Sequence, residues 1–439
     1  MIKTKYKPYP KYKPSGVEWI GEIPEGWEIV RFKQYYSFEK GKNAQLYTNE
    51  YIQANEGDYP VYSGQTENNG VMGKVNSYAY NLDEEVILIT TVGARAMTHT
   101  LISGKFSLSQ NIALMKKRRS EYHTRFIFYF LFPLIEKEKG SIALVMQPSL
   151  RFEDLNKYYT CLPPLPEQKA IAAFLDRETE RINGIIAKQK RMIELLKEKR
   201  SALITQAVTK GLDPKAKMKP SGVEWIGEIP EGWEVTSLKR ALEQKITDGP
   251  HETPELIPDG IPFISAEAIK NNKIDFDLRR GDISKKLHDK YCKKAKPKLN
   301  DILFIKSGAT TGNIAYVETT EEFSIWSPLA LIRCNNQLLF YKYLFYLMLS
   351  NEFRIQVELA WSYGTQQNIG MGVIGRLIII LPPLPEQKAI AAFLDRETAK
   401  IDTLVSKIEK QIELLNEYKQ SLITHAVTGK IDVRGEVNA

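Results

Sequence analysis

Eighteen residues, Leu162 to Thr179 (LPPLPEQKAIAAFLDRET), return letter for letter at Leu381 to Thr398. A second word, KPSGVEWIGEIPEGWE, begins at Lys13 and again at Lys219. Identity over such lengths does not arise by chance in 439 residues, so the chain is one unit written twice. Each copy of the first word opens a helical run with a similar ending: Ser201-Ala-Leu-Ile-Thr-Gln-Ala-Val-Thr209 and Ser421-Leu-Ile-Thr-His-Ala-Val-Thr428. Ser15 and Ser221 lie 206 residues apart, whereas Leu162 and Leu381 lie 219 apart, so the second intervening segment is 13 residues longer. Outside the shared words the two segments barely match. The fold must therefore offer a common plan with two different surfaces.

A chain 43% hydrophobic at this length can bury two or more cores. Its start, MIKTKYKPYPKYKP, lacks the apolar stretch of a signal peptide. No run approaches the roughly 18 apolar residues of a membrane span, so no membrane partner is expected. Cys161, Cys292 and Cys334 are odd in number, far apart and without CxxC spacing. They are expected to be reduced thiols of a cytoplasmic protein rather than disulfides or zinc ligands. The net charge of +8 permits a nucleic-acid partner without requiring one.

In chain order, Lys3, Lys5, Lys7, Lys11 and Lys13 alternate with tyrosines and prolines, and predict an extended, poorly ordered start. Trp19 to Trp27 follows, its Gly and Pro spacing breaking helices while Trp19, Ile20, Ile23 and Trp27 dock on a core. It reads as a structural clasp, as does Trp225 to Trp233. From about Glu28 to Cys161 the pattern predicts short strands, with Val86 to Val92 a buried strand and Tyr122 to Ile135 a helix. The second copy repeats this with strands at Asp301–Lys306 and Phe323–Trp326 and a helix near Leu338–Leu349.

Each shared 18-mer then begins a long helix. Leu175, Ile182, Ile186, Ile193, Leu196 and Leu203 keep a three-or-four spacing, as do Leu394, Ile401, Val405, Ile408, Ile412, Leu415 and Leu422. That is a heptad-type seam, interrupted at Gln189, Arg200 and Lys419. A long helix with one apolar stripe needs a partner, and the nearest is its own copy. The expected fold class is α+β: two globular domains of mixed α/β type with short strands, separated by two long antiparallel coiled-coil-like helices, with an internal pseudo-two-fold repeat. The expected segments are a first globular domain with its clasp (1–161), a first helix (162–211), a linker and second domain (212–380), a second helix (381–432) and a tail (433–439).

Signs of catalysis are weak. Gly370-Met-Gly372-Val-Ile-Gly375 matches a dinucleotide fingerprint, but a strand running into prolines follows it, and the twin has Arg151, Glu153 and Asn156 at those places. Gly308-Ala-Thr-Thr-Gly312 lacks the Lys-Ser/Thr of a phosphate-binding loop. There is no Asn/Asp-Pro-Pro-aromatic methyltransferase motif, and Pro258-Asp259 has no Glu-x-Lys after it at nuclease spacing. His99, His123, His251, His288 and His425 form no ligand pair. No catalytic or metal residue is assigned, and a recognition or scaffolding role is expected.

The doubled SGVEWIGEIPEGWE and PPLPEQKAIAAFLD words, each flanking a variable domain, together with Gln147-Pro-Ser and Thr365-Gln366-Gln367 ahead of the helices, resemble the specificity subunit of type I restriction–modification systems. The resemblance spans essentially the whole chain. It implies two target-recognition domains, each reading one half of a split site in double-stranded DNA, held apart by the two helices. It also implies two modification subunits that methylate adenine with S-adenosylmethionine, and restriction subunits that use ATP and Mg. It implies no cofactor and no activity in this chain by itself.

Under that resemblance, residues that touch DNA are sought on polar turns near strand ends. In the first domain these are Ser63, Gln65, Asn68, Asn69, Lys74, Arg95, Gln147 and Arg151. In the second they are His251, Asn271, Asn272, Lys306, Ser307, Thr310, Thr311, Tyr363, Gln366 and Gln367. Asn and Gln pair with adenine, Arg and Lys with guanine, and Lys, Ser and Thr hold phosphates. Gln147 and Gln366 occupy equivalent positions and serve either as base readers or as structural props. The rival reading is a non-catalytic scaffold whose two ligand-binding domains, for peptide or carbohydrate, are joined by a helical hairpin.

Overall fold

In a computed structural model, which describes residues 6–65, 68–92, 96–140, 157–363 and 367–438, the first variable segment forms a six-stranded sheet. Its order is Tyr36–Lys40, Ile112–Lys117, Tyr80–Thr90, His99–Leu108, Glu56–Tyr62 and Val71–Val75. Neighbours are antiparallel except Glu56–Tyr62, which runs parallel to His99–Leu108 through Val61–Ser107 and Tyr62–Leu108. Ile87, Leu88 and Ile89 are buried on both faces, which explains the unbroken apolar run at that point. The helix Thr124–Gly140 supplies the aromatic side of the core through Phe126 and Phe130, with Leu134 buried beside them.

The second segment repeats this order in shorter pieces. Thr247–Asp248, Leu329–Ile332, Ile302–Ile305 and Ile314–Tyr316 form one sheet, and Ser324–Ile325, Ile261–Ile264 and Gly281–Ile283 another. The parallel contact recurs as Phe263–Ser324 and Ile264–Ile325. The single long strand His99–Leu108 of the first copy is thus represented by two short ones in the second, Ile314–Tyr316 and Ser324–Ile325.

Two compact units result, one formed by Met1–Gln189 with Glu409–Ala439, the other by Lys190–Ile408. Each takes the beginning of one long helix and the end of the other: the first helix is Leu165–Lys210 and the second Leu384–Val427. In both units the clasp is a two-stranded ribbon, Tyr12–Pro14 with Glu22–Pro24 and Met218–Pro220 with Glu228–Pro230. In both, the strand after it pairs with the strand before the helix, Glu28 opposite Leu162 and Glu234 opposite Leu381.

The shared 18-mer was kept because its polar residues make the same bonds twice. Trp27 Nε1 donates to Glu167 at 3.1 Å, and Trp233 Nε1 to Glu386 at 2.9 Å. Gln168 Nε2 donates to the carbonyls of Pro163 and Glu121 while its Oε1 accepts from His123 N–H; Gln387 does the same with Pro382, Leu338 and Phe340. Asp176 accepts from Tyr129 and pairs with Arg125; Asp395 accepts from Tyr346 and pairs with Lys342. Thr179 and Thr398 donate back to Leu175 and Leu394 at 2.7 Å. Fully satisfied buried networks of this kind specify one arrangement, because any one loss leaves a desolvated partner.

The helix seam is at least half-buried throughout. In the first unit Leu175, Ile182, Ile186 and Leu422 are buried, with Ile412 and Leu415 packed against them. In the second, Leu394, Ile401 and Ile408 are buried while Ile193, Leu196, Leu203 and Val405 are half-buried. The three residues that interrupt the heptads are the ones that bond across the helix pair. Lys419 donates to Asn183 at 2.9 Å and Gln189 to Gln411 at 3.0 Å in the first unit, an antiparallel register. Arg200 meets Asp402 at 3.0 Å in the second.

One expectation fails at the start of the chain. From Tyr6 onward it is docked, not loose: Tyr6 packs edge-on to Phe174, and Tyr9 is buried against Trp27 with its hydroxyl donating to Glu167 at 2.5 Å. The tyrosines placed between the lysines supply the apolar anchors that the charge pattern hid. The clasps also differ, since Trp19 packs on Phe130 whereas its counterpart Trp225 is 42% exposed.

Candidate nucleic-acid interface

Each unit carries a seven-residue loop closed by the same backbone bonds. In the first, Thr90 N–H donates to Thr98 O, Met97 N–H to Thr90 O and Thr91 N–H to Asn111 O. In the second, Ile305 N–H donates to Asn313 O, Gly312 N–H to Ile305 O and Lys306 N–H to Pro328 O. Segments 91–97 and 306–312 are therefore equal in length and matched at their ends, and both end on a left-handed residue, Met97 and Gly312. The side chains differ: Thr91 and Val92 stand where Lys306 and Ser307 do. Arg95 lies outside the described residues, as do Gln147, Arg151 and Gln366.

In the second unit most of the expected residues gather on one surface. Ser307 bridges to Asn368, Gly308 N–H donates to Gln367 O at 3.1 Å, and Ile369 N–H donates to Lys306 O at 2.9 Å. Thr311 Oγ1 donates to the carbonyls of Gly308 and Gln367, a buried prop rather than a free hydroxyl. Thr310 is exposed at the loop tip. The backbone of Tyr363 pairs with Gln367, forming the second arm of the surface. Asn271 and Asn272 sit apart in sequence, as the left-handed turn of the hairpin between Ile269–Lys270 and Lys273–Ile274. That turn geometry accounts for two asparagines by itself.

In the first unit, Ser63 and Gln65 line a hollow of about 470 Å³ together with Gln45, Asn49, Gln110 and Asn111. Ser63 and Asn69 also line a neighbouring hollow of about 340 Å³ with Thr90, Thr98 and His99. Gln65 Nε2 donates to Val71 O at 2.5 Å, and Asn68 and Asn69 hold left-handed turn positions. Lys74 is exposed on the strand Val71–Val75, opposite Pro60. Gln45, Gln110 and Asn111 escaped the sequence reading because they come from two turns far apart in the chain.

Asp248 was also missed. It is 99% buried by side chain, yet Lys306 Nζ lies 3.3 Å from it, His251 Nε2 lies 3.2 Å away, and Lys294 Nζ bonds its other oxygen. Burial alone would raise its pKa, but Lys294 and Lys306 outweigh that and hold it below the ordinary carboxylate range. The signal was present in Asp248-Gly-Pro-His251. A Cβ on Gly249 would lie 1.9 Å from Ile325 O, so only glycine lets this strand pass the parallel pair. Gly41 does the same beside Leu108 in the first unit, and there Lys40 faces Ala113 where Asp248 faces Ala330.

The two units thus present polar loops, amide side chains and, in the second, clustered basic side chains beside their strands. Among the described residues no group of three or more His, Cys, Asp or Glu side chains is placed to hold a metal, and no helix is long and apolar enough to cross a membrane.

Comparison with known proteins agrees with the doubled architecture. The model of the type I restriction modification DNA specificity domain matches residues 24–195 and again 230–414. The type I restriction enzyme MjaVIII specificity subunit of Methanocaldococcus jannaschii is 26% identical over 426 residues, 94% of each chain. The EcoBI specificity subunit of Escherichia coli is 24% identical over 330 residues, 74% of this chain and 69% of that one. A chain solved in work on complex assembly and conformational transition of the type I R-M system superposes with a TM-score of 0.67 at 16% identity, covering 92% of this chain and 98% of the other. With that domain matched twice along one polypeptide, the chain belongs to the type I restriction–modification DNA specificity family.

Proposed function

We propose that the chain is the DNA-reading subunit of a type I restriction–modification complex, each unit recognising one half of a bipartite, asymmetric site. The observation that carries this reading is the pair of equivalent loops on equivalent sheets with unlike side chains. Thr91 and Val92 in one unit answer to Lys306 and Ser307 in the other, and Lys40 answers to Asp248. Sequence is read by donors and acceptors at fixed places on a base edge, so unlike loops on like scaffolds select unlike half-sites.

The chain itself catalyses nothing in this reading. It positions two modification subunits, which bring S-adenosylmethionine to adenine, and restriction subunits, which bring ATP and Mg. The assembly acts on double-stranded DNA in the cytoplasm. Mapping adenine methylation across a genome with the gene intact and deleted tests it. The expected result is one motif of two unlike halves with an unread gap of fixed length, lost on deletion. Methylation unchanged by deletion overturns the reading and favours a scaffold whose domains bind something other than DNA.

A further inference from the structure

We propose that Asp248 is a positioning residue that holds Lys294, Lys306 and His251 as a three-pronged phosphate clamp at the margin of the second unit's reading loop. The inference rests on the DNA-reading role and adds to it the residues that grip the backbone.

One buried carboxylate needs one cation for neutrality. Asp248 has two lysines beside it, Lys294 and Lys306, with His251 as a third polar neighbour, so the cluster keeps an excess of positive charge. Two of the three remain open to solvent, the side chains of Lys294 at 52% and His251 at 69% exposure, while Lys306 is 12% exposed. The nearby Glu252 does not offset the excess, because it is engaged by Lys290 at 2.7 Å and by the Tyr291 hydroxyl at 3.0 Å. Lys306 also begins the loop whose carbonyl accepts from Ile369, so the clamp and the reading surface share a backbone. Lysine is a flexible point charge; a fixed carboxylate at its root removes much of the freedom that phosphate binding would otherwise have to freeze. The first unit has Lys40 at the place of Asp248, so the clamp belongs to the second unit alone.

The test uses the full chain in complex with its modification subunits and a labelled duplex carrying the mapped methylation motif. Lys294→Ala is expected to weaken binding about fivefold at 0.15 M salt, on cognate and scrambled duplexes alike, and to lower the slope of log affinity against log salt by about one. Asp248→Asn gives the sharper contrast. Removing a negative charge should by itself tighten DNA binding, whereas loss of the mount should weaken it, on the order of tenfold. Tighter or unchanged binding by a folded Asp248→Asn, with an unchanged salt slope in Lys294→Ala, overturns the clamp. If Asp248→Asn fails to fold, Lys294→Ala, on an exposed side chain, decides alone through the salt slope. Failure of the wild-type complex to distinguish the motif from scrambled duplex would instead overturn the DNA-reading role.

Discussion

His99 lies on the strand His99–Leu108 between the rings of Phe128 and Phe132, with Nε2 donating to Phe128 O at 2.9 Å. Burial disfavours its charged form and takes its pKa from 6.5 down to about 4, against a smaller opposing effect of that hydrogen bond. The unfolded chain takes up the proton first, so the group costs the first unit stability as pH falls from about 6.5 to about 4. His99→Gln can keep the donor without titrating, so the first unit of that variant should lose less stability than wild type between pH 7 and pH 4.5 in urea unfolding. Equal losses in both proteins would refute the assignment. The cysteines offer a second check. Burial raises the thiol of Cys161, pushes Cys334 up to about 12, and raises half-buried Cys292. The thiolate is the reactive form, so an alkylating reagent at pH 8 is expected to label Cys292 slowly and the other two only after unfolding.

At the scale of the element, the repeated 18-mer is a socket rather than a stretch of generic helix. Gln387 is fully buried and satisfies Phe340 N–H and the carbonyls of Leu338 and Pro382 at once. Gln387→Leu leaves those three groups without it, at a cost of about 2 kcal/mol or more to the second unit. Gln168→Leu should do the same to the first unit. The check is denaturant unfolding followed by the fluorescence of Trp27 or Trp233, each kept as the sole tryptophan in a variant lacking the other five. Much of this was legible in the letters: a word kept verbatim across a duplication, clasps with buried tryptophans, and a seam at heptad spacing. What the word's polar letters were for was not legible, because Glu167 meets Trp27 across 140 residues and Asp176 meets Tyr129 across 47. The same limit hid Asp248, whose cationic neighbours Lys294 and Lys306 come from elements 46 and 58 residues away in the chain. Local pattern predicts which face is buried; it carries no record of which distant side chain arrives there.

For the molecule as a whole, duplication with divergence implies that the two units can be altered independently in what they read. The loops 91–97 and 306–312 are equal in length and closed by the same bonds, so side chains can be moved between them without moving the scaffold. Ser307→Val with Thr310→Arg gives the second unit the letters that the first carries at Val92 and Arg95. Lys306 and Thr311 stay in place, preserving the contacts to Asp248 and to the carbonyls of Gly308 and Gln367. Base contacts of this kind discriminate by about 1–3 kcal/mol per base pair, enough to relax or change one or two positions of a half-site. Methylation mapping of the double variant should therefore show one half of the motif altered, with the other half and the gap intact. Changes in both halves would mean that the units do not read separately. An unchanged motif, with the complex still assembled and active, would move base recognition away from this loop and leave it as a support for the segment 367–369.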